Sequence, residues 1–288
     1  MKLSAHLVSI VIAVALSCIG LACGGSHPAP QASPAPSVMV AATSNSPPAP
    51  TNTGVPATPN DDMSRLRAIV SAADRSDEDR ALDVGRHPAE LLGFAGIHDG
   101  MRVGEIGAWK GYTAELLARA VGDSGRVYAQ DPRAFGKYTQ DAWTARAKNA
   151  KVMARITRLE RDFEDPLPAE AHDLDAVFIV LFYHDTVWLK TDRAKMNRAI
   201  FAALKSGGEY IIVDHRAKDG DGTNDAKTFH RIEESAVRAE VEQAGFKLTE
   251  AADFLKNPAD TRDWDDSDEA PKEKRGTSDR FVLKYMKP

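Results

Sequence analysis

Glu105, Gly107 and Gly111 form a pattern of an acid and two glycines between a predicted strand and a predicted helix, and Asp131 ends the next predicted strand. Glycines in such a turn let bare backbone approach a ligand, since a Cβ there would block the contact. The helix N-terminus adds unpaired N–H groups and a partial positive charge. A carboxylate such as that of Asp131 can accept hydrogen bonds from the hydroxyls of a ribose. We therefore expect a ligand that contains adenosine.

The spacing of the glycines argues against phosphate-bearing ligands. A dinucleotide site has the pattern G-x-G-x-x-G, whose second glycine lets a pyrophosphate approach the backbone. Trp109 stands at that position, and the sequence contains no G-x-x-x-x-G-K-[ST] phosphate loop. A nucleoside without phosphates fits better, and a nicotinamide oxidoreductase becomes the third hypothesis.

Residues 101–131 resemble the first motif of class I S-adenosylmethionine-dependent methyltransferases, which reads acid-x-Gly-x-Gly-x-Gly. Glu105, Gly107 and Gly111 match this motif, and Trp109 replaces its middle glycine. The resemblance implies S-adenosyl-L-methionine as the cofactor. Within the family, the sequence resembles a bacterial group known only as predicted methyltransferases. The resemblance therefore implies a reaction type and leaves the substrate unknown.

Further residues are expected at the cofactor site. In the family, the acid after the third strand receives the adenine amino group and the next residue supplies a backbone N–H. Asp162 and Phe163 match these positions. Tyr112, at the start of the helix after the glycines, and Tyr183, after the fourth predicted strand, complete the predicted cofactor-binding residues with Asp131.

A histidine next to an acid follows the predicted fourth strand, and a second acid ends the fifth. These residues are His184, Asp185 and Asp214. Methyl transfer from a sulfonium is an in-line displacement, so the protein mainly positions the nucleophile. A hydroxyl or amine nucleophile also needs a base, and unperturbed histidine titrates near neutral pH. We predict His184 as the catalytic base, oriented by Asp185 or Asp214.

A metal-dependent reaction is the alternative at this position. Some family members that methylate catechols hold a divalent cation with an acid after the fourth strand and an Asp-Asn pair after the next. Asp214 and His215 match the second element in part, whereas Val180 occupies the place of the first acid. His184 or Asp185 would have to substitute for it. We predict that the protein has no metal site.

The elements that must position these residues alternate between strand and helix. Apolar runs predict strands at residues 103–106, 127–130, 156–159, 174–182, 210–213, 246–249 and 281–285. Helical periodicity predicts helices at residues 63–73, 88–95, 112–121, 137–148, 193–204 and 228–243. This order predicts an α/β, Rossmann-like, doubly wound fold with a mostly parallel seven-stranded sheet and an antiparallel closing strand. The polar residues 257–278 are typical of a lid or a disordered insert.

The first 60 residues predict an exported protein on a tether. Residues 1–23 have the charged start, apolar middle and small-residue end of a secretory signal, and Cys23 resembles the cysteine of a bacterial lipoprotein box. Plain cleavage and an uncleaved anchor are the alternatives to lipidation. Residues 24–60 contain nine of the 16 prolines and no Asp, Glu, Lys, Arg or aromatic residue, so we expect a disordered tether. Residues 61–288 are then a methyltransferase-like domain, held at the cell envelope and free of cysteine.

Charge and compartment restrict the partners. The net charge is −5 and no basic stripe stands out, so we expect a small-molecule substrate and no nucleic acid. S-adenosylmethionine is made in the cytoplasm, whereas the N-terminus predicts export. This conflict, together with Trp109, keeps a second hypothesis open, a non-catalytic envelope lipoprotein that uses a methyltransferase-like fold as a binding module.

Overall fold

The computed structural model describes residues 59–267 and 270–288. All of them fall within Val55–Pro288, one of the two units into which the chain divides. The predicted signal peptide, the lipidation site at Cys23 and residues 24–58 of the predicted tether lie outside the described residues. Within the described ranges, every helix is too short or too polar to cross a bilayer.

Seven strands form one mixed sheet. In chain order they are β1 (Arg102–Ile106), β2 (Arg126–Asp131), β3 (Ile156–Glu160), β4 (Leu174–Val180), β5 (Leu204–His215), β6 (Lys247–Ala252) and β7 (Arg280–Met286). Their order in the sheet is β3-β2-β1-β4-β5-β7-β6. β7 runs antiparallel to β5 and β6, and the other neighbouring pairs are parallel. The predicted fold class is confirmed.

Helices cover both faces of the sheet. They are α1 (Pro59–Val70), α2 (Asp77–Arg86), α3 (Pro88–Phe94), α4 (Tyr112–Ala120), α5 (Gly136–Arg146), α6 (Ala150–Met153), α7 (Asp185–Trp188), α8 (Arg193–Ala203) and α9 (Glu234–Gln243). Of these, α2, α6 and α7 were not predicted. The sequence of α2 does carry a start signal, because the Ser76 side chain accepts a hydrogen bond from the Asp79 N–H and three acids lie in the first turn.

The central strand β4 is buried on both faces, as parallel strands between helical layers are. Ala176 and Phe178 face a core that includes α1, α3 and α4, whereas Val177 and Ile179 face a core that includes α8 and α9. This explains why the strand reads as a continuous apolar run instead of an alternating one.

The order of the strands reverses between β1 and β4, which are neighbours although β2 and β3 lie between them in the chain. Ligands of open α/β sheets bind beyond the carboxyl ends of the strands at such a reversal. The residues that the sequence analysis singles out lie at, or just after, the carboxyl ends of β1, β2, β4 and β5.

One predicted helix is too long. The helical spacing of apolar residues predicts a helix from residue 228, but α9 begins at Glu234. The preceding residues pair instead with the end of β5, where the Ile232 N–H donates to the His215 carbonyl and the Ala217 N–H donates to the Ile232 carbonyl. This tertiary pairing prevails over the helical pattern of the sequence.

Candidate active site

The glycine loop between β1 and α4 folds back onto the end of β2. Gly107 has φ +70° and Gly111 has φ +79°, both in the left-handed region that favours glycine. The Gly107 N–H donates to the Gln130 carbonyl over 2.9 Å, and the Trp109 N–H donates to Asp131 Oδ1 over 2.9 Å. The carboxylate of Asp131 therefore faces the loop, as the ribose hypothesis requires.

Trp109, at the position of the motif's middle glycine, has its backbone in the left-handed region. Its φ is +49°, a conformation that costs a non-glycine residue about 1–3 kcal/mol and is held by the surrounding structure. The Trp143 Nε1 donates to the Trp109 carbonyl over 2.8 Å. The Trp109 ring lies edge-on to Phe135, with centroids 5.4 Å apart. The side chain thus extends toward the turn after β2.

Three phenylalanine rings, which we call the aromatic cluster, lie at the carboxyl end of the sheet. Phe135, Phe163 and Phe182 have ring centroids 5.3–6.2 Å apart. The Phe182 ring packs so closely on Gly107 that a Cβ there would lie 2.6 Å from it. Phe163 is therefore near the loop, whereas Asp162 is exposed after β3.

Two buried carboxylates lie at the ends of β1 and β2. Burial raises the pKa of Glu105 to about 8, and the negative charge of Asp131 adds to the shift. Burial also raises the pKa of Asp131 to about 7. Glu105 Oε2 is buried and accepts no hydrogen bond within the described part of the chain. A ligand that brings positive charge and hydroxyl donors would satisfy both acids.

The two predicted tyrosines do not face the glycine loop with their hydroxyls. Tyr183 is fully buried on the α8 and α9 face, where its hydroxyl donates to Glu240 Oε2 and accepts from Asn197 Nδ2, each over 2.8 Å. The Tyr112 hydroxyl donates to Asp83 Oδ1 over 2.6 Å. The prediction that Tyr183 binds the cofactor is corrected, because its side chain points into the core.

His184 is fixed between two carboxylates. Its Nδ1 lies 2.7 Å from Asp214 Oδ1, its Nε2 lies 3.2 Å from Asp185 Oδ1, and its backbone N–H donates to Asp214 Oδ2. Burial alone would lower the pKa of His184, but the charges of Asp214 and Asp185 outweigh it and raise the pKa to about 10. His184 is then an imidazolium at neutral pH. In this form it has no lone pair with which to act as the predicted base.

Two more histidines lie next to His184. The sequence analysis named His215 only in the metal alternative and did not name His230. The ring centroids of His215 and His230 each lie 5.5 Å from that of His184. His215 Nδ1 lies 2.6 Å from Asp266 Oδ2, and His230 Nδ1 lies 2.9 Å from Asp265 Oδ1. The position of His215 at the end of β5 is the signal that could have identified it.

The metal-dependent alternative has no set of metal ligands in the part of the chain that the structure describes. No three His, Cys, Asp or Glu side chains within residues 59–267 and 270–288 are arranged to hold a metal ion. Asp214, the acid proposed for that role, accepts hydrogen bonds from His184 and from the His215 N–H.

Comparison with known proteins identifies the fold. No protein-family model and no curated protein matches the sequence. Among solved structures, the chain is similar to a S-adenosylmethionine-dependent methyltransferase from Aquifex aeolicus, with a TM-score of 0.53, 17% identity, and coverage of 78% of this chain and 98% of that one. It is also similar to a candidate sarcosine dimethylglycine methyltransferase from Galdieria sulphuraria, with a TM-score of 0.50, 16% identity, and coverage of 79% and 98%. These likenesses show the class I methyltransferase fold.

Proposed function

We propose that this protein is a S-adenosylmethionine-dependent methyltransferase that acts on a small molecule. The observation that carries the proposal is the position of Asp131, whose carboxylate faces the glycine loop beside the buried and unpartnered Oε2 of Glu105. On a class I methyltransferase fold, this places two acids at the reversal of strand order, where a ligand is expected.

The residues present fit the cofactor in charge and in surface. S-adenosyl-L-methionine carries an ammonium, a sulfonium and two ribose hydroxyls, and when bound it supplies a methyl group on positively charged sulfur. Glu105 would accept from the ammonium and Asp131 from the hydroxyls. The aromatic cluster offers an apolar surface to adenine. His184, Asp185 and Asp214 lie at the neighbouring ends of β4 and β5, where the methyl acceptor would bind.

Calorimetric titration of the full-length chain tests this proposal. The ligands are S-adenosylmethionine, S-adenosylhomocysteine and NAD, each added separately. Binding of the first two without NAD is the expected result. Binding of none of the three would favour the non-catalytic binding module, and binding of NAD alone would favour an oxidoreductase.

Export and lipid anchoring belong to the same proposal, as does the expectation that the protein does not bind nucleic acid. Cys23 would carry the lipid, and the proline-rich residues after it would hold the domain away from the envelope membrane. Metabolic labelling with a radioactive fatty acid tests this, with Cys23→Ser as the variant and Cys18→Ser as its matched control. Label that persists in Cys23→Ser would rule out this anchor.

A further inference from the structure

His215 and Asp266 form a second histidine and carboxylate pair beside His184. His215 Nδ1 lies 2.6 Å from Asp266 Oδ2 and 2.9 Å from Ser278 Oγ. Asp266 and Ser278 belong to the polar residues 257–278, so this segment reaches the carboxyl end of β5. Both partners contact the same ring nitrogen. This excludes a Ser-His-Asp nucleophile triad, in which the serine and the aspartate bind opposite nitrogens.

We infer that His215, oriented by Asp266, is the general base for the methyl acceptor, an inference that rests on the methyltransferase function proposed above. A carboxylate at Nδ1 keeps the proton there and leaves the lone pair on Nε2. Among the described residues, no hydrogen bond to His215 Nε2 is found. His215 thus has the free ring nitrogen that His184 lacks.

The groups around His215 keep it neutral. His184 faces it as an imidazolium, Asp214 precedes it on β5, Asp266 and Ser278 contact its Nδ1, and Arg280 lies near Asp266. Burial lowers the pKa of His215, the carboxylate of Asp266 beside Nδ1 opposes this in part, and the positive charge of His184 lowers it further. A neutral imidazole can accept a proton at pH 7, whereas the His184 cation cannot.

The inference limits the acceptor to a hydroxyl or an amine that must lose a proton. His215 Nε2 takes this proton as the acceptor's oxygen or nitrogen bonds to the methyl carbon. The electron pair of the broken carbon–sulfur bond stays on sulfur. His215 then passes its proton to water. An acceptor that is already an anion at neutral pH, such as a carboxylate, would need no base.

Modification of the full-length protein with diethyl pyrocarbonate tests this inference without a known substrate. The reagent acylates neutral imidazole nitrogens, and peptide mass spectrometry gives the rate at each histidine. We expect the rate at His215 to rise less from pH 6 to pH 8 than that of a free imidazole, because burial lowers the pKa of His215. Free N-acetylhistidine in the same solution is the reference, and its rate should rise about fourfold as its imidazole loses a proton with the ordinary pKa of about 6.5. His184 should stay unmodified, and an unreactive His215 would overturn the inference.

Asp266→Asn tests the orienting role, with Asp263→Asn, an exposed acid in the same segment, as the matched control. We expect modification of His215 to slow roughly tenfold in Asp266→Asn, because the carboxylate charge 2.6 Å from Nδ1 is lost, and to stay unchanged in Asp263→Asn. Nitrogen-15 NMR of the wild-type histidines gives a second readout that does not depend on a variant. It should show the proton of His215 on Nδ1, and a proton on Nε2 would overturn the inference.

The two proposals fail in different ways. If S-adenosylhomocysteine binds and His215 is unreactive, the base assignment is wrong and the methyltransferase function stands. If His215 reacts as expected and no adenosine ligand binds, the function is wrong, and the role of His215 in methyl transfer is lost with it.

Discussion

The backbone N–H of Trp109 donates a hydrogen bond to Oδ1 of Asp131 over 2.9 Å. This bond joins the glycine loop after β1 to the end of β2, so the carboxylate that should bind the ligand also holds the loop. No other hydrogen bond of the Asp131 carboxylate is found among the described residues. Its Oδ2 is therefore left for a hydroxyl of the ligand.

Asp131→Asn should weaken binding of S-adenosylhomocysteine roughly tenfold or more. An asparagine oxygen can still accept from Trp109, but the second oxygen becomes a donor, and a hydrogen bond to a charged group is worth about 1.5–3 kcal/mol. Calorimetry measures the affinity. Asp141→Asn, an exposed acid on α5, is the control and should bind normally. An unchanged affinity in Asp131→Asn would remove the ribose assignment.

Cofactor binding should release protons near pH 6.5. The pKa values of Glu105 and Asp131 are raised to about 8 and about 7, so the free protein holds protons on both acids at that pH. A bound cation and hydroxyl donors favour the ionised carboxylates and expel these protons. Calorimetry in two buffers of different ionisation enthalpy measures the release, which should vanish above pH 9. Glu105→Gln should reduce it, and release that is the same in wild type and variant would contradict this assignment.

Asp214→Asn should destabilise the protein by about 3–5 kcal/mol at pH 7, because it leaves the buried imidazolium of His184 with one carboxylate partner. The pKa of His184 is raised to about 10 in the fold, above its unfolded value of 6.5. The stability from this pair is therefore complete below pH 6.5 and is lost as the pH rises through 10. Urea unfolding should show a large difference between wild type and variant at pH 6.5 and a smaller one above pH 10.

Asp123→Asn is the control for that comparison, since Asp123 pairs with Arg155 at the exposed surface and should matter little. Equal destabilisation of Asp214→Asn at both pH values would show that the charge of His184 contributes nothing. It would leave the hydrogen bonds of Asp214 to two backbone N–H groups as the whole effect.

The strands and the glycine loop could be predicted from sequence because the residues that determine them are neighbours in the chain. A strand such as β4, buried on both faces, must be apolar throughout, and the positive φ of Gly107 and Gly111 requires a residue without a Cβ. Asp131 follows from these, since the end of β2 must lie beside the end of β1.

The roles of the polar side chains could not be predicted, because they depend on residues that are distant in sequence. Hydrogen bonds to Asn197 on α8 and Glu240 on α9 hold the Tyr183 side chain in the core, away from the loop. The charge of His184 depends on Asp214, 30 residues later. His215 acquires its partner from Asp266, in a segment without regular structure.

Gly107→Ala should destabilise the protein more than a positive φ alone explains. The left-handed backbone costs an alanine about 1–2 kcal/mol, and its Cβ would lie 2.6 Å from the Phe182 ring, an overlap worth about 1–3 kcal/mol more. Gly220→Ala is the matched control, because Gly220 has φ +90° and no atom within 4 Å of the added Cβ. The free energy of unfolding in urea is the measurement for both variants.

Phe182→Ala, combined with Gly107→Ala, separates the two contributions. Removing the ring removes the overlap, so Gly107→Ala in that background should cost only what Gly220→Ala costs. That result would show that the rings of the aromatic cluster keep their positions and set the depth of the site over the glycine loop. If Gly107→Ala and Gly220→Ala are equally destabilising in the wild-type background, the Phe182 ring moves aside freely, and the depth of the site is set by the ligand instead.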